Sequence, residues 1–287
     1  MKGSHAPISR SIHDWTAPRE GIVIPPEHIL ITGAAGTIGA AIARVIRKAW
    51  PQTRFALLDR EIAPMQQLAN EVGNASLHAV DLTDLDALPG VIASIEHGDG
   101  TEPRLPLDGL VNCAGVMVVR RIESWRWEDA RYSLDVNLLA PLRLQDLVVP
   151  GMVARRRGLI VNISSMAGRV PLKGCTYYGA SKAGLGLASE IARAELARHD
   201  VRVVTVYPGP VKSLLEQGAR AGYGGGGAVG RIAPVGDPSV LAAKIMTAID
   251  RDEPRVIYPR MYGLGWTAPN TAARIMLAVG PLPLENA

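Results

Sequence analysis

The chain has 287 residues, 47% of them hydrophobic, enough to bury a sizeable core in one α/β domain. Lys and Arg exceed Asp and Glu by only four, and the basic residues are scattered, which argues against a nucleic-acid partner. Two cysteines, Cys113 and Cys175, and six histidines show no pairing or ligand spacing, so neither a disulfide framework nor a catalytic metal is expected. No apolar run approaches the roughly 18 residues of a membrane span, and no signal-peptide region opens the chain; a cytoplasmic location fits.

Residues 1–27 read as an amino-terminal extension, partly disordered. The first strand, His28–Ile31, leads into Thr32-Gly-Ala-Ala-Gly-Thr-Ile-Gly39 and a helix from about Ala40 to Trp50. Strand, glycine turn and helix together present backbone amides and a helix N-terminus to a pyrophosphate, with Gly33, Gly36, Thr37 and Ile38 as the expected contacts. The second strand, Arg54–Leu58, ends at Asp59 and Arg60. A carboxylate there accepts both ribose hydroxyls of NAD and repels the 2′-phosphate of NADP, so NAD is favoured, although Arg60 is able to bind that phosphate. A third strand, Ser76–Val80, ends at Asp81 and Leu82. A loop over residues 98–108 precedes a fourth strand, Leu107–Val111, followed by Asn112-Cys-Ala-Gly115, where Gly115 is expected to make room for the cofactor. Trp125 and Trp127 read as packing or surface residues.

Leu134-Asp-Val-Asn137 opens a long helix, expected to be interrupted by Pro141 and Pro150 and to end in a solvated Arg155–Arg157 triplet. A fifth strand over 159–163 ends in Ser164 and Ser165; the following helix carries Tyr178 and Lys182, four apart and so on one face. An ammonium about 4 Å from a phenol contributes on the order of 4 kcal/mol at an effective dielectric near 20. That is enough to lower a tyrosine of pKa roughly 10 by up to about three units, into the range of a general acid or base. Ser165 is placed to hydrogen-bond the same substrate oxygen. Ala180, Gly184 and Ala188 form a smooth strip suited to close packing.

The sixth strand, Val201–Tyr207, ends in Pro208-Gly209-Pro-Val211 and Ser213. Residues 214–236, with Gly222 and Gly224–Gly227, are expected to form a mobile lid, part of a substrate loop over 212–236. A final helix over 238–250 is capped by Asp237, with Pro238 at its first position, and Arg255–Tyr258 is the last strand. Residues 259–287 form a carboxyl-terminal extension expected, in order of preference, to close the substrate pocket, join a subunit interface or touch a membrane surface.

Asn-Ile-Ser-Ser-x-Ala-Gly at 162–168, Tyr-x-Ala-Ser-Lys at 178–182 and the glycine turn together resemble the classical short-chain dehydrogenase/reductase family over residues 28 to about 258. The resemblance implies a single-domain α/β fold, a doubly wound parallel sheet of about seven strands of Rossmann type. It also implies a catalytic group of Asn137, Ser165, Tyr178 and Lys182. In that reading Lys182 lowers the tyrosine and binds the ribose, and Asn137 kinks its helix and holds a water in a proton relay. Asp81 with Leu82 holds the adenine, Asn112, Ala114 and Gly115 lie beside the adenosine ribose, and Ser213 meets the nicotinamide carboxamide beside Pro208, Gly209 and Val211. A homodimer or homotetramer is implied. The middle glycine comes one place early, at Gly36, a spacing more like the extended branch of the superfamily that includes sugar-nucleotide epimerases.

The expected reaction is hydride transfer between a nicotinamide and a ketone or secondary alcohol. Met117, Met166, Val170, Leu172 and Leu214 fall where the substrate pocket should be, which favours a bulky apolar compound. Arg120, Arg121, Arg169 and Lys173 leave open a 3-oxoacyl thioester. A sugar-nucleotide epimerase and a non-catalytic NAD-sensing protein are the remaining alternatives.

Overall fold

Alternation of apolar side chains along five short strands dictates a sheet covered on both faces. Ile29 and Ile31, Phe55 and Leu57, Leu159 and Val161 join one apolar cluster, while Leu30, Ala56, Leu58 and Ile160 join another across the sheet. Each such side chain, fully buried, contributes roughly 1.5–3 kcal/mol. The computed structural model describes residues 23–98, 104–224 and 234–284.

The strands are β1 (His28–Thr32), β2 (Arg54–Asp59), β3 (Ala75–Ala79), β4 (Gly109–Asn112), β5 (Gly158–Ile163), β6 (Val201–Pro208) and β7 (Arg255–Tyr258). They form one seven-stranded sheet in the order β3-β2-β1-β4-β5-β6-β7, every pair parallel. This is the expected Rossmann-type architecture. Helices α1 (Thr37–Ala49) and α2 (Ile62–Val72) pack on one face; α3 (Leu88–His97) and α5 (Ala140–Arg155) cover the other. The strand order reverses between β1 and β4, so a crevice opens at their carboxyl ends.

Between α4 (Trp127–Leu134) and α5 lies one π-helical turn, Asp135–Leu139. The helix is not interrupted by its prolines. Pro141 sits at the first turn of α5, and Pro150 lies inside the helix but on its exposed side, so the carbonyl it frees is not sealed in the core. The Arg155–Arg157 triplet is not merely solvated. Arg155 donates to the Leu107 carbonyl at 2.8 Å, Arg156 pairs with Asp200 at 2.6 Å, and Arg157 reaches the buried Asp108 at 2.8 Å. Asp108 in turn accepts from the Glu27 and His28 amides, so the triplet clamps the entry to β1.

Helix α6 (Thr176–Leu196) follows β5; α7 (Leu214–Gly222) and α8 (Pro238–Asp250) follow β6. Asp237 caps α8 by accepting from the Ser239 and Val240 amides. The expected mobile lid begins instead as α7, because Ser213 caps its first turn; residues 225–233 of that stretch lie outside the described residues, as do residues 1–22 of the amino-terminal extension. Two further helices, α9 (Gly263–Thr267) and α10 (Pro269–Val279), close the described chain.

Candidate active site

The crevice is a cavity of about 980 Å³ running along the carboxyl ends of the strands. Its amino-terminal wall is the glycine turn, where Gly33 adopts φ +65° and a Cβ would stand 2.7 Å from the Ala114 Cα. A side chain on Gly39 would run into the Gly33 carbonyl oxygen, so this glycine lets α1 seat against the turn. No side chain caps α1, which leaves its first amides for an anion, and Gly36, Thr37 and Ile38 line the cavity there. Thr32 ties the turn to β4 by accepting from the Cys113 and Ala114 amides at 3.1 Å.

Asp59 and Arg60 line the same end. The Asp59 carboxylate accepts from the Ala35 amide at 3.0 Å and from the Arg60 amide at 2.8 Å, holding the glycine turn to β2. Asp81 and Leu82 also line the cavity, with one Asp81 oxygen accepting from both the amide and the hydroxyl of Thr83. Those bonds hold the Asp81 carboxyl below the usual range. Ala114 and Gly115 line the cavity; Asn112 does not. Asn112 is 1% exposed and donates to Asn162 across the β4–β5 pair at 2.8 Å. Asn162 then donates to Ser189, to which Thr205 of β6 also donates, so Asn112 belongs to a buried polar ladder beneath the site.

Ser165, Tyr178 and Lys182 all line the cavity and all are nearly buried. Ser164 is spent on the Lys182 carbonyl at 2.7 Å, which leaves Ser165 as the hydroxyl beside the phenol. The expected lowering of the tyrosine is not found. Burial pushes the Tyr178 phenol up to about 12 while a hydrogen bond with Ser165 pulls the other way, and burial brings Lys182 down to about 8. Lys182 Nζ donates one of its three protons to the Ile163 carbonyl at 2.8 Å, and desolvation governs the phenol.

Asn137 lies in the π-helical turn, fully buried and off the cavity surface. Its Oδ1 accepts from the Val116 amide at 2.9 Å; its Nδ2 donates to the Val116 carbonyl at 2.8 Å and to Ser133 at 3.2 Å. A Cβ on Gly115 would stand 3.2 Å from Asn137 Oδ1 and 3.4 Å from Lys182 Nζ, so this glycine makes room for two polar side chains as well as for a ligand.

Pro208, Gly209, Val211 and Ser213 line the far end. Ser213 Oγ, expected to face a carboxamide, is engaged as a helix cap: it accepts from the Glu216 amide and donates to the Val211 carbonyl, both at 3.1 Å. Met117, Met166, Val170, Leu172 and Leu214 line the cavity. Of the four basic residues considered for a thioester arm, only Lys173 lines it. Arg120 pairs with Asp129 at 2.9 Å, Arg121 donates to the Pro283 carbonyl at 3.2 Å, and Arg169 stacks on Trp266 at 4.2 Å.

The rest of this wall comes from the two segments that the sequence reading gave to the substrate pocket as stretches, without naming their lining residues as site residues. Ala219 and Tyr223 come from α7 and its end, and Met261, Tyr262, Leu264, Ile275 and Met276 come from the carboxyl-terminal segment. Tyr223 is latched by donating to the Lys173 carbonyl at 2.6 Å. The carboxyl-terminal segment is pinned by Trp266, whose ring carries both Arg169 and Arg255, and by Gly265, where a Cβ would meet Val170 and Met166. The one available signal was the apolar composition of residues 259–284.

A family model described as short chain dehydrogenase matches residues 27–224. The chain is 30% identical to dehydrogenase/reductase SDR family member 7B of Xenopus tropicalis over 216 residues, covering 72% of this chain and 68% of that protein. It is 27% identical over 259 residues to the ketoacyl reductase HetN of a Nostoc species, covering 88% of this chain and 84% of the relative. A metagenomic short-chain oxidoreductase solved in complex with NADP is 29% identical with a TM-score of 0.65, over 80% of this chain and 96% of that one. Fold, strand order and family match agree: this chain belongs to the short-chain dehydrogenase family of oxidoreductases.

Proposed function

We propose that the protein is an NAD(H)-dependent oxidoreductase acting on a bulky apolar ketone or the corresponding secondary alcohol. The observation that carries this reading is the apolar lining of the cavity that also holds Tyr178, shared by Met117, Met166, Val170, Leu172, Ile275 and Met276. A substrate held there is desolvated by side chains that offer it almost no hydrogen bonds.

The residues fit a dinucleotide: a glycine turn at φ +65°, an uncapped helix start and a strand-end carboxylate occupy consecutive stretches of the wall. Gly33, Gly36, Thr37 and Ile38 would hold the pyrophosphate, Asp59 and Arg60 the adenosine ribose, and Pro208, Gly209 and Val211 the nicotinamide. A nicotinamide bound there supplies or accepts the hydride. Tyr178 exchanges the proton at the substrate oxygen, and Ser165 hydrogen-bonds that oxygen. Lys182 binds the cofactor ribose and favours the phenolate once its ammonium faces a filled site. Asn137 acts as a positioning residue through the Val116 backbone. Asp59 at the end of β2 favours NAD, while the NADP-bound relative supports the phosphorylated cofactor as the competitor.

Substituting Tyr178 by Phe should lower turnover by a factor of about 10²–10⁴ with NADH affinity retained. A Phe variant of undiminished rate refutes the assignment. A 3-oxoacyl thioester is the second substrate class, supported by Lys173 in the cavity wall and by the likeness to a ketoacyl reductase. Parallel turnover assays with bulky ketones and 3-oxoacyl thioesters separate the two, and steady turnover of either excludes a purely NAD-sensing protein. We also propose a homo-oligomer joined through α6, on which Leu187 and Ile191 are exposed; the mass in solution tests it.

A further inference from the structure

Four large apolar side chains line the cavity and yet face solvent: Leu214 is 83% exposed, Leu264 74%, Ile275 57% and Met261 56%. They therefore form its rim. Next to them Leu277, Val279 and Leu282 are about half exposed or more, and α10 has no buried residue at all. Exposed apolar side chains gathered along one cavity rim and the segment that continues it mark a surface that something covers.

The segment beside it is basic, and Glu216, the carboxylate next to Leu214 on the rim, is paired with Arg220. From residue 254 to residue 284 the chain carries Arg255, Arg260 and Arg274 and no Asp or Glu. Arg260 and Arg274 are exposed and form no ion pair among the described residues, and Lys212 stands exposed two residues before Leu214. No helix among the described residues is long and apolar enough to cross a membrane, so any lipid contact is peripheral.

From these observations we infer that the cavity mouth docks on an anionic phospholipid bilayer, with α10 and the tail Pro281–Leu284 in the interface and the arginines against lipid headgroups. A second copy of the chain fits the same face poorly. An isologous contact would bring like-charged arginines of the two copies together and would seal the entrance. A bilayer meets the positive rim with negative charge and opens the cavity onto a phase in which apolar compounds dissolve.

The test is co-sedimentation of the full chain with unilamellar vesicles of phosphatidylcholine alone and of phosphatidylcholine mixed with phosphatidylserine, at low and high salt, with the mass in solution measured by light scattering. Capture by the serine-containing vesicles that fades with salt is expected. Arg260→Gln with Arg274→Gln should weaken capture roughly fivefold per arginine. Leu277→Ser with Leu282→Ser should weaken it by about tenfold or more per side chain, with turnover of a water-soluble substrate unchanged. The arginine pair keeps the test readable if the serine pair fails to fold. Capture no better than with phosphatidylcholine alone, or indifferent to the arginine pair, overturns the proposal. So does a drop in solution mass in the serine variant, which would make the face a subunit contact. Vesicle capture involves no turnover, so its failure leaves the oxidoreductase reading standing.

Discussion

Replacing Asn137 by Ala separates two roles that the family resemblance merges. The side chain is fully buried and makes three hydrogen bonds, two to the backbone of Val116 and one to Ser133. At about 1 kcal/mol net for each, with a further cost for any Val116 group left unpaired, the variant should lose about 3–5 kcal/mol of stability. For a chain of this size each kcal/mol moves the midpoint by about 2–4 °C, so thermal unfolding followed by circular dichroism should shift down by at least about 6 °C. Asn137→Asp should be no milder, since a carboxylate keeps the acceptor for the Val116 amide but faces the Val116 carbonyl without a donor. Turnover measured on the same samples below the transition completes the test. A midpoint within about 2 °C of the parent, with turnover lost, would refute the clasp and assign Asn137 to proton relay alone.

Other outcomes follow from the same geometry. Asp59→Ser should raise the kcat/KM ratio of NADP over NAD by about tenfold or more, since it removes a carboxylate from the ribose wall; an unchanged ratio would place discrimination elsewhere. Lys182 is lowered to about 8 from an ordinary lysine value of 10.5. The unfolded chain therefore binds the extra proton between those values, and stability should rise with pH from about 8 toward 10.5 relative to a Lys182→Met variant. Parallel melts of the two proteins across that range check the sign, and curves that never diverge would remove the buried ammonium from the account. Gly39→Ala drives a methyl group into the Gly33 carbonyl and should cost several kcal/mol and abolish NADH binding, as read by fluorescence titration.

Strand positions were legible because the sheet is covered on both faces. Strand-length runs such as Arg54–Asp59 and Val201–Pro208 bury nearly every side chain. Helix starts were legible where a local group does the work, as with Asp237 before Pro238. Properties set by long-range contact were not. The pKa of Tyr178 reflects how completely the fold buries it, and a spacing of four residues reports only the neighbour that was expected to lower it. Asn112 reads as a cofactor contact until Asn162, fifty residues later, is laid beside it in the sheet. The carboxyl-terminal wall packs Gly265 on Met166 and Val170, about a hundred residues away in the chain, and no local pattern encodes that meeting. Pro150 was misread because a proline on a wet helix face costs less than one inside a core.

The cation–aromatic cluster at Trp266 couples two segments of the polypeptide that share no sheet register. Arg169 follows the serine-bearing turn and Arg255 opens β7, yet one indole holds both guanidinium groups, at 4.2 and 4.5 Å. The carboxyl-terminal wall of the cavity is thereby tied at one point to the turn that follows Ser165 and to the edge strand. On the proposed function, loosening that contact would widen the range of compounds admitted without touching Tyr178 or Lys182.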